Sequence, residues 1–334
     1  MRALLFMTTA IAISCQSVDK KKRLFEEDNK GNTLVSDKVG DITSDSDTIF
    51  VNDGFILACD EALEDGEEEK AKTYRALMQA VKTEGCYALS LTLDIKNLSL
   101  SGQGITEVTP IAFFNQLEDL DLSNNKISGF EELSQLSKLR RLNLSYNSDL
   151  NIEDISYFDQ LTFLNLSNCG ISDLSPVSAL TQITNLDLSS NNISDAGLSA
   201  LGDLTQVIHL NLSAQTPALV SIENIAGFTN LKTLDVSNNR ITAVNTIAQF
   251  SELEELNGSN NRISTLMPLQ NTTQLKKVYL QANDFSFAQY LSKNAGLTDL
   301  DLSSNSIIPN RAYCPIDSPS QVLNDFCASI GVRR

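Results

Sequence analysis

The sequence predicts an α/β solenoid, in which ten copies of one short unit stack around a parallel sheet. Two observations predict it. The apolar pattern L-x-x-L-x-L-x-x-N-x-I recurs at intervals of 22 or 24 residues, and one such copy is too short to enclose its own apolar side. The copies begin at Ile95, Leu117, Leu139, Leu161, Ile183, Val207, Leu231, Leu253, Leu275 and Leu297. We therefore expect the array to occupy residues 95–312.

The copy LEDLDLSNNKI shows how one unit works. Leu120 and Leu122 are two residues apart, so both point to the apolar side of a short strand, while Asp119 and Asp121 point to the other side. Asn125 follows where the chain must turn, and its amide can both donate and accept hydrogen bonds. We expect this side chain to satisfy backbone groups of the turn.

Three return segments carry an apolar-x-Pro-apolar turn, at Pro110, Pro176 and Pro268. Together with the 22-residue period, this turn resembles the internalin-like class of bacterial leucine-rich repeat proteins. The resemblance implies a curved right-handed horseshoe with a ten-strand concave sheet and short 3₁₀ or irregular convex segments. The 24-residue copies resemble a longer, helical repeat class, which implies a true helical turn near residues 195–201.

Some copies depart from the pattern. Gln103, Gln215 and Cys169 replace the turn asparagine, and Gly258 replaces a core leucine. We expect Cys169 to be a buried free thiol and not a nucleophile, because cysteine behaves as a small apolar group with a weak donor. We expect a local packing gap at Gly258.

A stack of copies needs a cap at each end. Residues 55–94 and 313–334 fit this role, since each holds a helical pattern bracketed by cysteines, the second with Ser320 as a candidate N-cap. The predicted disulfides are Cys59–Cys86 and Cys314–Cys327. Metal binding by these cysteines is the alternative, but their spacings do not resemble those of zinc sites, and we expect no metal centre.

The first residues, MRALLFMTTAIAISC, are typical of a secretion signal covering residues 1–14. Small residues before Cys15 resemble a bacterial lipoprotein signal, which implies lipid attachment at Cys15 and anchoring in the envelope, in the outer membrane or at the cell surface. An ordinary secretion signal is the alternative. Residues 15–54 are polar, without a sustained period, and predict a flexible tether. Its KKKR run at 20–23 would contact lipid headgroups or remain solvated.

The net charge of −17 disfavours nucleic acid, whose phosphates attract Lys and Arg. The sequence offers few arrangements of residues that could perform catalysis. His209 is the only histidine, and a set with Ser213 and either Asp187 or Asp235 can be imagined, but Ser and Asp recur at these positions throughout the array. We expect no enzyme activity and no cofactor.

The outward residues of the predicted concave sheet are mostly Asp, Asn and Ser, and family members bind partner proteins through this surface. The residues that depart from this composition are our candidates for partner contact: Arg141, Tyr146, Phe163, His209, Lys277 and Tyr279. Ordinary surface variation is the alternative. The pairs Asp119–Asp121 and Asp299–Asp301 could hold calcium, or could simply be solvated carboxylates.

These observations favour a non-enzymatic recognition module of the bacterial envelope, which binds a protein or glycan partner through its concave face. A structural spacer without a specific ligand is the leading alternative, and an enzyme is the third.

Overall fold

The computed structural model describes residues 24–27, 33–36, 49–64 and 67–332. The predicted signal peptide, the lipidation site Cys15 and the KKKR run lie outside these residues. Among the described residues, no helix has the length and apolar content needed to cross a bilayer.

A small antiparallel sheet forms within the segment predicted as a tether. Its strands are β1 (Leu24–Glu27), β2 (Thr33–Ser36) and β3 (Ile49–Val51), paired in that order. The prediction of one flexible tether over residues 15–54 did not include these strands. Each is only three or four residues long, too short for a period of two to stand out in the sequence.

Three helices form the amino-terminal cap: α1 (Asp53–Glu64), α2 (Glu68–Val81) and α3 (Cys86–Ser90). Phe55 is fully buried and meets Tyr74 and Phe113 edge to face, with ring centroids 5.5 and 5.1 Å apart. Because Phe113 belongs to the array, these rings seal the open apolar end of the first copy. The predicted Cys59–Cys86 disulfide is confirmed and ties α1 to α3.

The ten-strand parallel sheet is confirmed, with every strand beside its neighbours in sequence. Its strands are β4 (Asn97–Ser99), β5 (Asp119–Asp121), β6 (Arg141–Asn143), β7 (Phe163–Asn165), β8 (Asn185–Asp187), β9 (His209–Asn211), β10 (Thr233–Asp235), β11 (Glu255–Asn257), β12 (Lys277–Tyr279) and β13 (Asp299–Asp301). First, middle and last residues pair with their counterparts in the next copy. This register aligns equivalent side chains in columns.

The core runs the length of the array. Leu117, Leu120, Leu122 and Ile127 of one copy are all fully buried, as the pattern predicts. Phenylalanines of the return segments fill the convex side of this core, and Phe130 and Phe158 lie 5.8 Å apart between ring centroids. The copies therefore share one continuous apolar interior.

The return segments are short 3₁₀ helices, as predicted. They span Thr109–Phe113, Glu131–Gln135, Glu153–Tyr157, Ser175–Ala179, Gly197–Leu201, Glu223–Ile225, Asn245–Gln249, Met267–Asn271 and Gln289–Leu291. Pro110, Pro176 and Pro268 lie in the first turns of theirs, where a missing N–H costs no hydrogen bond.

The helical turn expected near residues 195–201 is wrong in type, because Gly197–Leu201 is also a 3₁₀ helix. One α-type hydrogen bond forms, from the Leu198 N–H to the Ser194 carbonyl. In this copy the two extra residues thus add one wider turn without extending a helix.

The carboxyl-terminal cap is helix α4 (Gln321–Ser329). Ser320 is its N-cap as predicted, and its hydroxyl accepts a bond from the Leu323 N–H at 3.3 Å. The Cys314–Cys327 disulfide is confirmed as well. Leu323 is fully buried, so this helix covers the last copy as α1 to α3 cover the first.

The turn asparagine joins neighbouring copies. The Asn147 amide donates to the Leu144 carbonyl of its own copy at 2.8 Å and to the Leu122 carbonyl of the preceding copy at 3.1 Å. Its oxygen accepts the Ile127 N–H at 3.0 Å. The same arrangement recurs at Asn125, Asn191, Asn239, Asn261, Asn283 and, with the Asn283 N–H as donor, Asn305. The predicted role in satisfying turn groups is confirmed.

The residues that replace the turn asparagine differ in their bonds according to their place in the array. Gln215 is buried and reproduces the bonds of asparagine, donating to the Leu188 carbonyl at 2.8 Å. Cys169 is a buried free thiol, as predicted, and burial raises its pKa to about 11. Gln103 is exposed and donates only to the Ser101 carbonyl, because the first copy has no preceding copy to reach.

The packing gap expected at Gly258 is absent. A Cβ at this position would lie 2.9 Å from Leu280 Cδ2 and 3.2 Å from Ile263 Cδ1. Both side chains therefore lean into the space that a leucine occupies in other copies.

Replacing Asn147 with Ala should lower the free energy of unfolding by about 2–4 kcal/mol, because several buried backbone groups lose their partners at once. Gln103→Ala is the matched control at the equivalent position, and should change the free energy of unfolding by less than about 0.5 kcal/mol. Urea unfolding followed by circular dichroism measures both. Equal losses would show that the asparagine does not join the copies.

Restoring the consensus leucine with Gly258→Leu should destabilise the chain by about 1–3 kcal/mol, because Leu280 and Ile263 must move aside. A gap at this position would give the opposite result, since a new buried leucine would then stabilise. The thermal unfolding midpoints of the variant and the parent chain distinguish the two cases.

Candidate functional site

The concave face consists of the first and last residues of strands β4 to β13, whose side chains point away from the core. The first column is Asn97, Asp119, Arg141, Phe163, Asn185, His209, Thr233, Glu255, Lys277 and Asp299. The second column is Ser99, Asp121, Asn143, Asn165, Asp187, Asn211, Asp235, Asn257, Tyr279 and Asp301. Neighbours within a column belong to adjacent copies, so long polar side chains can contact each other along it.

Most residues of the second column stabilise the turn that follows their strand. The Asp187 carboxylate accepts the Ser189 N–H at 2.9 Å, and the Asn211 side-chain oxygen accepts the Ser213 N–H at 3.0 Å. This local bond turns the chain out of the strand. Asp and Asn perform it equally well, so the presence of either in the column does not by itself indicate a binding site.

Some of the carboxylates proposed as calcium ligands already bond to other side chains. Asp119 pairs with Arg141, and Asp299 accepts a hydrogen bond from the Tyr279 hydroxyl. Across the described residues, no three His, Cys, Asp or Glu side chains come together as metal ligands.

Arg141 lies between two neighbours of its column. Its Nε is 2.9 Å from the Asp119 carboxylate, and its guanidinium carbon lies 4.0 Å from the centroid of the Phe163 ring. The cation is thus held by a carboxylate on one side and by an aromatic face on the other. The predicted grouping of Arg141 with Phe163 is a direct contact.

Tyr146 lies three residues beyond strand β6, in the turn at the edge of the sheet. Its φ is +58°, a left-handed conformation that favours glycine and asparagine. The equivalent residues of other copies are Gly102, Asn124, Asn168, Ser190, Ala214, Asn238, Asn260, Ala282 and Ser304. Tyr146 is 58% exposed, so it gains no burial in return for this backbone.

Lys277 and Tyr279 bond to different neighbours. The Lys277 ammonium lies 2.7 Å from the Glu255 carboxylate, and this bond raises the pKa of Lys277. The bond to Asp299 raises the pKa of the Tyr279 hydroxyl. Both side chains are thereby oriented along the face.

A shallow depression of about 360 Å³ lies at the centre of the concave face. It is lined by Phe163, Asn185, Leu186, Asp187, His209, Leu210, Asn211, Thr233, Leu234, Asp235, Glu255, Leu256, Asn257 and Tyr279. We call this hollow the central depression. Three of the predicted contact residues, Phe163, His209 and Tyr279, line it together, while Arg141, Lys277 and Tyr146 lie outside it.

The imagined catalytic set does not form. The Nδ1 atom of His209 lies 2.8 Å from the Thr233 hydroxyl, and the Ser213 hydroxyl donates to Asn211 at 2.8 Å. Asp187 accepts bonds from Ser189. Serine, histidine and aspartate therefore each have other partners.

Sequence reasoning missed the residues that hold the candidates in place: Asp119 for Arg141, Glu255 for Lys277 and Thr233 for His209. A signal for the two charged partners, Asp119 and Glu255, was present in the repeat register. Opposite charges one copy apart in the same column must lie side by side once the strands pair.

Comparison with known proteins agrees with the repeat assignment. Family models described as leucine-rich repeats match residues 94–148, 159–201 and 229–244. A search with the sequence finds no curated protein that matches it.

Among solved structures, the chain is similar to an internalin, InlF, of Listeria monocytogenes, with a TM-score of 0.62 and 24% identity over 71% of this chain and 76% of that one. A leucine-rich repeat protein of Leptospira interrogans gives a TM-score of 0.58 and 25% identity over 64% and 56% of the two chains. Internalin C2 of Listeria monocytogenes gives 0.51 and 26% over 70% and 92%.

The ten stacked copies, the matching family models and these shared architectures show that the chain is a leucine-rich repeat solenoid with a fold similar to that of internalins.

Proposed function

We propose that this chain is a non-enzymatic recognition module that binds a partner protein through its concave face. One observation carries the proposal. Phe163, His209 and Tyr279 depart from the polar composition of the face and come from three different copies, yet all three line the central depression. Their positions around one hollow offer a partner three contacts that depart from the repeat consensus on a single surface.

The size and shape of the face favour a macromolecular partner. Ten strands at a spacing of ~4.8 Å give a surface about 45 Å wide. The central depression is shallow, whereas sites for small molecules enclose most of their ligand. Aromatic and arginine side chains are the residues that contribute most to protein interfaces, and here Arg141 stacks on Phe163 at the margin of the depression.

The proposal also places the module in the bacterial envelope, anchored by lipid at Cys15 in the outer membrane or at the cell surface. The residues before Cys15 support it, because they combine an apolar run with small residues ahead of the cysteine. The two disulfides support export, since such bonds persist in oxidising compartments.

The double substitution Phe163→Ala with Tyr279→Ala should weaken partner binding by about thirtyfold or more, because central aromatic contacts contribute about 2 kcal/mol or more to such interfaces. The full chain serves as bait for envelope and host extracts. Quantitative mass spectrometry identifies the proteins captured by the parent and lost by the variant.

The control replaces two exposed side chains of the convex side, Tyr157→Ala and Met267→Ala, which are 60% and 50% exposed. It should capture the same proteins as the parent chain. Proteins captured equally by the concave variant would place binding elsewhere. If nothing is captured selectively, the spacer alternative stands.

Lipid attachment predicts that Cys15 becomes the amino-terminal residue and carries acyl chains. Mass spectrometry of the native amino-terminal peptide should show the corresponding added mass. Cys15→Ala should release the chain into the soluble fraction, whereas Cys169→Ala, the matched control at a buried thiol, should leave it in the membrane. An unmodified peptide cleaved elsewhere would establish an ordinary secretion signal.

A further inference from the structure

The central depression is acidic. Asp187, Asp235 and Glu255 line it, and its lining includes no Lys or Arg. Glu255 is neutralised by Lys277, whose ammonium lies 2.7 Å away. The other two carboxylates are therefore the ones whose charge matters for a partner.

Asp187 and Asp235 are bonded only by neutral groups. The Asp187 carboxylate accepts a hydrogen bond from the Asn211 side-chain amide at 3.3 Å, and the Asp235 carboxylate accepts one from the Asn257 amide at 2.8 Å. Within residues 67–332, neither carboxylate has a Lys or Arg at ion-pair distance. The strands β8 and β10 that carry them flank β9, so the two charges lie about 10 Å apart, on either side of the strand that carries His209.

The chain itself shows how this surface holds a cation. The Arg141 guanidinium sits between the Asp119 carboxylate and one face of the Phe163 ring. Phe163 also lines the central depression, where Asp187 stands on the next strand. A guanidinium or ammonium entering from outside would meet the same pair of groups, a carboxylate and an aromatic ring.

We propose that the central depression accepts a Lys- or Arg-bearing segment of the partner protein. Its cationic group lies between Asp187 and Asp235, and the residues that flank it in the segment lie against Phe163 on one side and Tyr279 on the other. This inference rests on the proposed function and adds the chemical class of the bound segment. Charge complementarity identifies the bound group as a cation, because the depression carries two carboxylates that have no counter-ion inside the described chain.

The charge can be removed without disturbing the fold. Asn occupies the same column at Asn211 and Asn257, and there its oxygen accepts the serine N–H two residues on, as the Asp oxygen does. Asp187→Asn with Asp235→Asn therefore keeps the strand-exit bond and removes the charge, together with the acceptor for the Asn211 and Asn257 amides. The matched control is Asp121→Asn with Asp301→Asn, in the same column but outside the depression.

The test uses a random nine-residue peptide library displayed on phage and selected on the full chain. Enriched peptides are then synthesised, and their binding is measured by fluorescence anisotropy. We expect enrichment of Lys and Arg, and binding at least about tenfold weaker to the Asp187→Asn, Asp235→Asn variant, because close charge pairs across an interface couple strongly. The control variant should bind within about twofold of the parent, since its charges lie more than a Debye length from the site.

The possible results distinguish a failure of cation recognition from a failure of concave-face binding as such. Peptides without excess Lys or Arg, or with unchanged affinity for the Asp187→Asn, Asp235→Asn variant, overturn the inference. If their binding is still lost with Phe163→Ala and Tyr279→Ala, the concave recognition function stands. Peptides that bind that aromatic variant as they bind the parent count against both. Failure to enrich any peptide also overturns the inference, while the extract experiment continues to test the function.

Discussion

The fold depends on one constraint, which is that no copy can close itself. Each copy leaves an apolar side and several turn carbonyls uncovered, and the next copy must supply what is missing. The turn asparagine does this for the polar groups, as when Asn147 reaches the Leu122 carbonyl of the preceding copy. Apolar stacking alone would allow copies to slide, whereas an amide that bonds in both directions fixes their register.

That constraint explains why so much of the fold could be predicted from the sequence. A unit that repeats must fold the same way each time, so the strands and the turn asparagines followed from spacing. The two capping disulfides followed instead from cysteines that bracket a helical pattern at each end. The failures lie where copies differ. The space at Gly258 is filled by Leu280 of the next copy, and the reach of one particular side chain is not encoded in the repeat. Strands β1 to β3 stand outside the array and share none of its period.

The candidate site was predictable only in part. Departures from the polar consensus identified Phe163, His209 and Tyr279, but the sequence did not show that they line one depression. That convergence depends on the small rotation between successive copies, which adds up along the array and shapes the concave face. The partners of Arg141 and Lys277 could have been found from charges one copy apart, since column neighbours are fixed by register.

The second column separates what the fold requires from what it leaves free. Its strand-exit bond needs a side-chain oxygen, which Asp187 and Asn211 provide equally. Stability therefore does not choose between Asp and Asn, and the order of charges along the face can follow the needs of a partner. Asp187 and Asp235 lie in a hollow lined by no Lys or Arg, and the strand-exit bond does not require their charge. Their mutual repulsion is relieved when a cation lies between them, and within the described chain no such cation is supplied.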